Sequence, residues 1–420
     1  MHRTLHRSVS FLVFLCCIFP AAGFAPAERI QPPEGFVALF NGEDLSGWKG
    51  LVANPIVRAK ATQESLDKAQ AAADEKMRAN WRAEDGILVF DGKGDSLCTA
   101  QDYGDFELLV DWKIEANGDS GIYLRGSPQV QIWDPAVHPE GSGGLYNNQK
   151  NPSQPMICAD RPMGEWNTFR ILMRDEKVTV FLNGFLVVYD TVMENYWERD
   201  RPIYRTGQIE LQSHHTPLYF RNIFLREIPA HEPEWKPLFN GEDLTGWIPL
   251  GDPDSWKAEA GLLFTTGKGG DWLCTEREFS DFDLKLECKI PEGGNSGVFI
   301  RAPREGNPAY EGMEIQVLDD YAPQYAELKP WQYMGSLYDL VPAEPRVSKK
   351  AGEWQCMEIT CKGRRVRVTL NEHVVVDANL DDHMDRADSH PGLKRVRGHI
   401  GLQNHGSRLD YRSLLIREYP

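Results

Sequence analysis

The stretch FNGEDLSGW at Phe40–Trp48 returns as FNGEDLTGW at Phe239–Trp247, and this repeat constrains the chain more than any other feature. The agreement continues in order. WRAEDG from Trp81 pairs with WKAEAG from Trp256, and DSGIYLR from Asp119 with NSGVFIR from Asn295. VQIWD from Val130 pairs with IQVLD from Ile315, GEW from Gly164 with GEW from Gly352, and LQSH from Leu211 with LQNH from Leu402. Collinear matches of this kind mean a duplication. A period near 190 residues is far longer than the ~20–50 of solenoids and propeller blades, so each copy is a whole domain. The repeat restarts after a short polar stretch with two prolines, Pro229-Ala-His-Glu-Pro-Glu234. That places one domain at residues 34–229 and a second at 233–420, on a linker short enough for the two to touch.

Within each copy the apolar period is two. Phe106, Leu108, Val110 and Trp112 alternate with polar neighbours, as do Ile122 and Leu124, Val130 and Ile132, and Ile209 and Leu211. Short alternating segments bounded by Gly, Pro, Asn and Asp predict half-buried antiparallel strands, and many of them in one domain predict an all-β, two-sheet sandwich. Residues 59–80 differ: they are rich in Ala, Glu, Lys and Gln, with Glu64 and Lys68 at i,i+4. They predict a helical insertion that the second copy lacks.

Arg3 and Arg7 precede an apolar run ending at Phe19, and Ala25 and Ala27 suit a signal-peptidase site, so residues 1–27 are expected to be a signal peptide. The run is shorter than the ~20 residues of a membrane helix, so stable membrane insertion is not expected. The formal charge is −16; loss of those two arginines would take it to −18. Such an acidic protein has no basic face for nucleic acid, while small neutral ligands such as sugars remain compatible. The six cysteines beyond residue 27 have no Cys-x-x-Cys spacing. Cys98 and Cys274 fall in the same Leu-Cys-Thr context, which predicts small buried residues and not a disulfide.

Strand parity also assigns the opposite faces. In the first copy these carry Asp119, Tyr123, Arg125, Gln129, Gln131, Trp133, Glu210, Gln212 and His214, with Asp111 and Lys113 on an earlier strand. In the second they carry Asn295, Phe299, Arg301, Glu314, Gln316, Gln403 and His405, with Glu287 and Lys289. An ordinary solvated face would be Lys, Glu, Thr and Ser. Amides that both donate and accept, next to aromatic rings, suit sugar hydroxyls and pyranose faces.

The motifs LFNGEDLSGW, GDSGIYLRG, VQIWD, GEWN and IELQSHHTPLYFRNI, with GNSGVFIR, YEGMEIQVLDD and GHIGLQNHG in the second copy, resemble the 3-keto-disaccharide hydrolase domain family over nearly the whole chain from about Phe36. The resemblance implies tandem concanavalin-like jelly-roll sandwiches in an exported, periplasmic or extracellular protein. It also implies cleavage of 3-keto-disaccharides or related 3-keto-glycosides, oxidised beforehand by a separate enzyme. A C3 ketone acidifies the C2 hydrogen, so a base forms an enolate, the enolate expels the C1 substituent, and water adds to the enone. Such a site needs a base, a cation or donor for the enolate, and an acid for the leaving oxygen.

On that chemistry Arg301 and Arg125 are expected to stabilise the enolate. Glu314 or His405 is expected to be the base of the second copy, with the other near the leaving group, and His214 and Asp111 are the counterparts in the first. Gln131, Gln212, Gln316, Gln403, Asn295, Tyr123 and Trp133 are expected to hold the sugar. No cofactor is required; a divalent cation such as calcium is compatible with the fold, with no ligand set identified. The rival reading is a lectin-like module that binds carbohydrate without catalysis.

Overall fold

The computed structural model describes residues 31–127, 129–229 and 232–419; the expected signal peptide lies outside them. Each half of the chain is a sandwich of an eight-stranded and a five-stranded antiparallel sheet, and among the described residues no ladder joins a strand of one half to a strand of the other. The smaller sheet of the first half contains β1 (Trp48–Gly50), β2 (Leu97–Thr99), β3 (Asp119–Tyr123), β4 (Gln129–Trp133) and β5 (Glu210–Leu211), in the order β1-β2-β5-β3-β4. Its counterpart contains β6 (Trp247–Leu250), β7 (Trp272–Thr275), β8 (Asn295–Ala302), β9 (Met313–Leu318) and β10 (His399–Gln403), in the matching order β6-β7-β10-β8-β9. The larger sheets are centred on Phe106–Ile114 and Phe282–Lys289, each lying between two long strands.

The alternating residues build the cores as their period requires. Phe106, Leu108, Val110 and Trp112 from the large sheet meet Ile122, Leu124, Val130, Ile132, Ile209 and Leu211 from the small one. Cys98 and Cys274 are buried and unpaired. The opening motif is a turn staple, identical in the two copies. The Asn41 side chain accepts the amides of Glu43 and Asp44, and Asp44 accepts that of Ser46. Trp48 Nε1 closes the loop onto the Leu39 carbonyl at 2.9 Å, as Trp247 does onto Leu238 at 2.8 Å.

The helical segment is two helices. α1 (Pro55–Lys60) ends at Ala61, and α2 (Gln63–Asn80) begins after Thr62, whose side chain caps the Ser65 amide. Ala61 and Thr62 are both extended, which breaks what the composition suggested was continuous. α2 seats on β1: Gln70 donates to the Gly50 carbonyl at 2.9 Å and Asp74 accepts the Gly50 amide at 2.9 Å.

The two sandwiches pack through their large sheets, so both small sheets face outward. The contact has an apolar part, Phe181 and Leu186 against Trp235 and Leu415. It also has a chain of alternating charges. Asp283 binds Arg417 at 2.6 Å, and Arg417 binds Glu232 at 2.8 Å. Glu232 and Glu107 both bind Arg226. Glu107 binds Arg170 at 2.5 Å, Arg170 crosses to Glu358 at 2.8 Å, and Lys285 lies 3.5 Å from Glu358. Burial acts to raise the Glu358 carboxyl, but Arg170, Lys285 and Arg417 outweigh it and hold it down at about 2.

A carboxylate depressed in this way contributes stability above its unfolded pKa of about 4.3, and the contribution is lost as pH falls through about 2. Arg170→Met is expected to cost on the order of 3 kcal/mol by taking from Glu107 and Glu358 the cation they share at the interface. Urea unfolding at pH 7 measures that loss, and the variant's unfolding curve should depend less on pH between 4.3 and 2 than the parent's.

Candidate functional site

In an antiparallel sheet, residues directly opposite one another share a face. Across the small sheet of the first sandwich, Glu210 (β5) faces Tyr123 (β3), which faces Gln129 (β4). The next outward row holds Gln212, Gly121 and Gln131, and the third holds Asp119 and Trp133, with His214 reaching toward Asp119. Tyr123, Gln131, Gln212, His214 and Trp133 therefore come together as strand parity predicts. The middle of the face is not solvated: Gln129, Gln131 and Glu210 are all buried, while Asp119 and Gln212 are half-buried and His214 at the edge is exposed.

A relay of polar groups crosses these rows. Gln129 donates to Gln131 at 2.6 Å, Gln131 donates to Asp119 at 2.8 Å, and His214 Nδ1 lies 3.6 Å from the other Asp119 oxygen. Gly121 keeps the middle open, since a Cβ there would sit 2.5 Å from Gln129 Oε1. Trp133 is not a free platform: His138 stacks on its ring at 4.0 Å, and its indole nitrogen bonds the Gly141 carbonyl. Three acceptors on the face are buried without a hydrogen-bond partner: Gln129 Oε1, Gln212 Oε1 and Glu210 Oε1. Orphaned buried oxygens are costly, and a hydroxyl-bearing ligand is the sort of group that satisfies them.

Glu210 lines a cavity of about 330 Å³ together with Leu51, Pro55, Ser96, Trp197 and Ser213. An open cleft of about 750 Å³, with Gln208, Tyr204 and Lys49 on its walls, adjoins it at Pro55. Burial pushes the Glu210 carboxyl up to about 7 against the opposing effect of Arg58. Tyr123 is pushed up to about 12, first by burial and then by the charge of Glu210, so it stays protonated. Cys98, opposite Glu210 on β2, is likewise held as a thiol by burial, at about 12. Glu210 is the residue that sequence reasoning passed over as one more outward acid.

The second sandwich has kept the rows and changed their contents. Gly401 stands opposite Phe299, which stands opposite Glu314. Gln316 donates to Asn295 at 2.9 Å, as Gln131 does to Asp119. Where the first copy has Ser96 beside Glu210, the second has Trp272 over Gly401, and a Cβ on Gly401 would collide with the Trp272 ring. Trp272 meets Phe299 edge to face at 5.4 Å, and Cys274, Ala302 and Ala309 complete an apolar cluster. The pocket is thus filled on that side. The Glu314 carboxylate, across the sheet, has no hydrogen-bonded partner among the described residues and is pushed up by burial to about 8. Gln403 is half-buried at the rim and His405 is exposed.

Two expectations are corrected. Arg125 and Arg301 do not join the face, because both adopt a left-handed backbone, with φ of 54° and 50°, which ends the strand alternation there. Each guanidinium is buried and bound to the main chain. Arg125 bonds the carbonyls of Gly104 and Asp175 and the Asp105 carboxylate; Arg301 bonds those of Ser280 and Gly363 and the Asp281 carboxylate. Asp111 belongs to the other sheet. It is held there by Thr168 at 2.7 Å, Asn222 at 2.8 Å and Arg221 at 3.1 Å, with Arg221 stacked on Trp166. The GEW and FRNI motifs thus meet in a structural stack that Glu287, Arg412 and Trp354 repeat in the second copy.

Among the described residues no group of three or more His, Cys, Asp or Glu side chains is placed to hold a metal ion, and no helix is long and apolar enough to cross a membrane. Arg301→Lys should cost on the order of 3 kcal/mol in urea unfolding, since a lysine cannot reproduce the forked bonds to two carbonyls and an acid. Loss of turnover without loss of stability would return the arginine to the site.

The profile of the family described as 3-keto-alpha-glucoside-1,2-lyase-like domain matches residues 35–226 and again residues 234–417. A 3-keto-disaccharide hydrolase of Bacteroides thetaiotaomicron is 27% identical over 233 residues, covering 46% of this chain and 80% of that protein. Two solved glycosyl-hydrolase-like structures from Parabacteroides distasonis are 29% and 26% identical; each covers 44% of this chain, and 100% and 94% of their own, with TM-scores of 0.40 and 0.41. With both halves of the chain matched, the protein belongs to the 3-keto-alpha-glucoside-1,2-lyase-like domain family and carries its domain twice in tandem.

Proposed function

We propose that the first sandwich cleaves glycosides whose C3 hydroxyl has already been oxidised to a ketone, with Glu210 as the base. One observation carries this reading: Glu210 presents to a cavity a buried carboxylate oxygen that accepts no hydrogen bond, with burial bringing its pKa to about 7. A base works best when its pKa lies near the operating pH. The family match and the name of the Bacteroides relative support the substrate class.

In the first step Glu210 takes the C2 proton, and the C2–H electron pair becomes the enolate conjugated with the C3 oxygen. The enolate then re-forms the ketone as C1=C2 forms and the C1–O bond breaks. Tyr123, opposite Glu210 and protonated, gives its proton to the departing oxygen. Water then adds across the enone: the Tyr123 phenolate takes a proton from the water as its hydroxyl bonds C1, and Glu210 returns its proton to C2, so both side chains are restored and the net reaction is hydrolysis. Gln129 and Gln212 orient sugar hydroxyls, and the Asp119–His214 pair holds the far end. The step uses no nicotinamide; a separate sugar-oxidising enzyme supplies the ketone. The N-terminal sequence supports export, to the periplasm or beyond.

The filled pocket over Gly401 favours a different role for the second sandwich, that of a non-catalytic carbohydrate-binding face. Glu314, protonated at neutral pH, would act there as a hydrogen-bond donor beside Gln316, Asn295, Gln403 and His405.

Turnover of a 3-keto-glucoside should rise with pH through about 7 as Glu210 ionises, and exchange of the C2 hydrogen with solvent deuterium should accompany it. Glu210→Gln is expected to lower kcat by about 10²–10⁴ and to abolish exchange. Equal cleavage of the unoxidised glycoside would refute the enolate route. Stability gives a second readout. An acid raised in the folded state loses stability as pH rises from its unfolded value of about 4.3 to about 7. Glu210→Gln should therefore melt higher than the parent at pH 8.

A further inference from the structure

The elimination just described, on which this inference rests, needs a positive group at the C3 oxygen. We propose that Arg58, delivered by the helical insertion of the first copy, is that group. The two arginines of the strand motif are bound to the main chain, so the charge has to come from elsewhere.

Arg58 lies on α1, and the whole segment from Asn54 to Asn80 has no counterpart in the second copy. Its guanidinium is held from one side only. Nη1 donates to the Val52 carbonyl at 3.0 Å and the Ala53 carbonyl at 2.6 Å, while Nη2 points across to Glu210 Oε1 at 3.8 Å. That gap is too long for a direct hydrogen bond, so Nη2 and the carboxylate face each other with donor and acceptor both available. The wall between them is Gly126, with a left-handed φ of 71°, where a Cβ would lie 3.3 Å from Nη2 and 3.3 Å from Glu210 Oε1. Arg58 lines the open cleft, which adjoins the cavity at Pro55, and from there it reaches toward Glu210.

Several contacts fix the segment that carries it. The Asn54 side chain caps the Val57 amide at 3.0 Å. Glycine at position 50 admits α2 against β1, since a side chain there would collide with the Ala73 carbonyl. Met77 anchors α2 in the core. An arginine so placed is pre-organised, and charge that develops next to it meets a fixed donor in place of reorienting water. The geometry matches the order of events. While Glu210 is ionised, Arg58 is its counter-ion. Once Glu210 has taken the C2 proton it is neutral, and the negative charge has moved to the C3 oxygen, which Nη2 can then follow. The second sandwich lacks both partners, having Gly401 in place of Glu210 and no insertion, so the pair is present or absent as a unit.

The test uses the full-length chain and a 3-keto-glucoside with a nitrophenyl leaving group. Arg58→Met is expected to lower kcat by about 10²–10³ with KM changed less than about threefold, the size of effect seen when one oxyanion donor is removed. C2 deuterium exchange should fall in step with kcat. The acid limb of the pH–rate profile should move to higher pH, because the cation that opposes the upward shift of Glu210 is gone. Arg58→Lys should recover at least about tenfold, and added guanidinium should restore part of the activity of Arg58→Gly, a rescue that a structural role would not show. If Arg58→Met melts early, the guanidinium experiment on Arg58→Gly, followed by exchange, decides the matter. A kcat within about threefold of the parent overturns the proposal, as does a shifted pH limb with an unchanged plateau, since the arginine would then only tune Glu210. If the parent chain exchanges no C2 hydrogen, the base assignment fails instead; if Glu210→Gln stops exchange and Arg58→Met does not, only the arginine assignment falls.

Discussion

The contact between the two large sheets decides what the rest of the molecule can do. Charges are expensive to bury, and the chain from Asp283 to Lys285 is tolerable only because Glu232, Glu107 and Glu358 each lie between two cations and Asp283 is held by Arg417 and the hydroxyls of Thr360 and Tyr419. Phe181, Leu186, Trp235 and Leu415 seal it from water on one side. With the large sheets committed to each other, the small sheets are the faces left to meet a ligand. The outward rows of glutamines, acids and rings are where they are because the other side of each sandwich is occupied.

Divergence of the copies then follows from volume and desolvation. In the first sandwich Ser96 and Glu210 leave a cavity and bury a carboxylate beside it; in the second, Trp272 and Gly401 exchange that cavity for apolar contact. Each is a matched pair, a small residue diagonally across the ladder from a large one. Neither half of the pair works without the other, because a carboxylate at position 401 would meet the Trp272 ring. The remaining carboxylate of the second face, Glu314, lies two strands away in the place of Gln129, so each row carries one buried acid, at opposite ends. Two such acids in one row would raise each other further.

Strand alternation made the sandwich architecture and the inward residues legible, since a period of two with one buried face has few other solutions. The outward rows were legible for the same reason as far as Tyr123, Gln131, Gln212 and His214. Parity failed at Arg125 and Arg301 because it presumes an unbroken alternation, and a left-handed residue breaks it, past the end of β3 at Arg125 and through a register shift inside β8 at Arg301. It failed at Asp111 because an outward acid looks the same on either sheet; the sheet is a matter of pairing, not of pattern. Glu210 was missed as a buried acid because loops distant in sequence, around Pro55 and Trp197, do the burying. The repeat did hold a signal: Glu210 against Gly401, and Ser96 against Trp272, are the large volume changes between copies at neighbouring positions.

The linker carries more than a tether. Glu232, within the polar stretch that joins the halves, bonds Arg226 of the first sandwich and Arg417 of the second. The covalent connection and the non-covalent interface are therefore one object. A cut before Glu232 would leave that carboxylate on the second half, so that Arg226 kept it only for as long as the two large sheets stayed together.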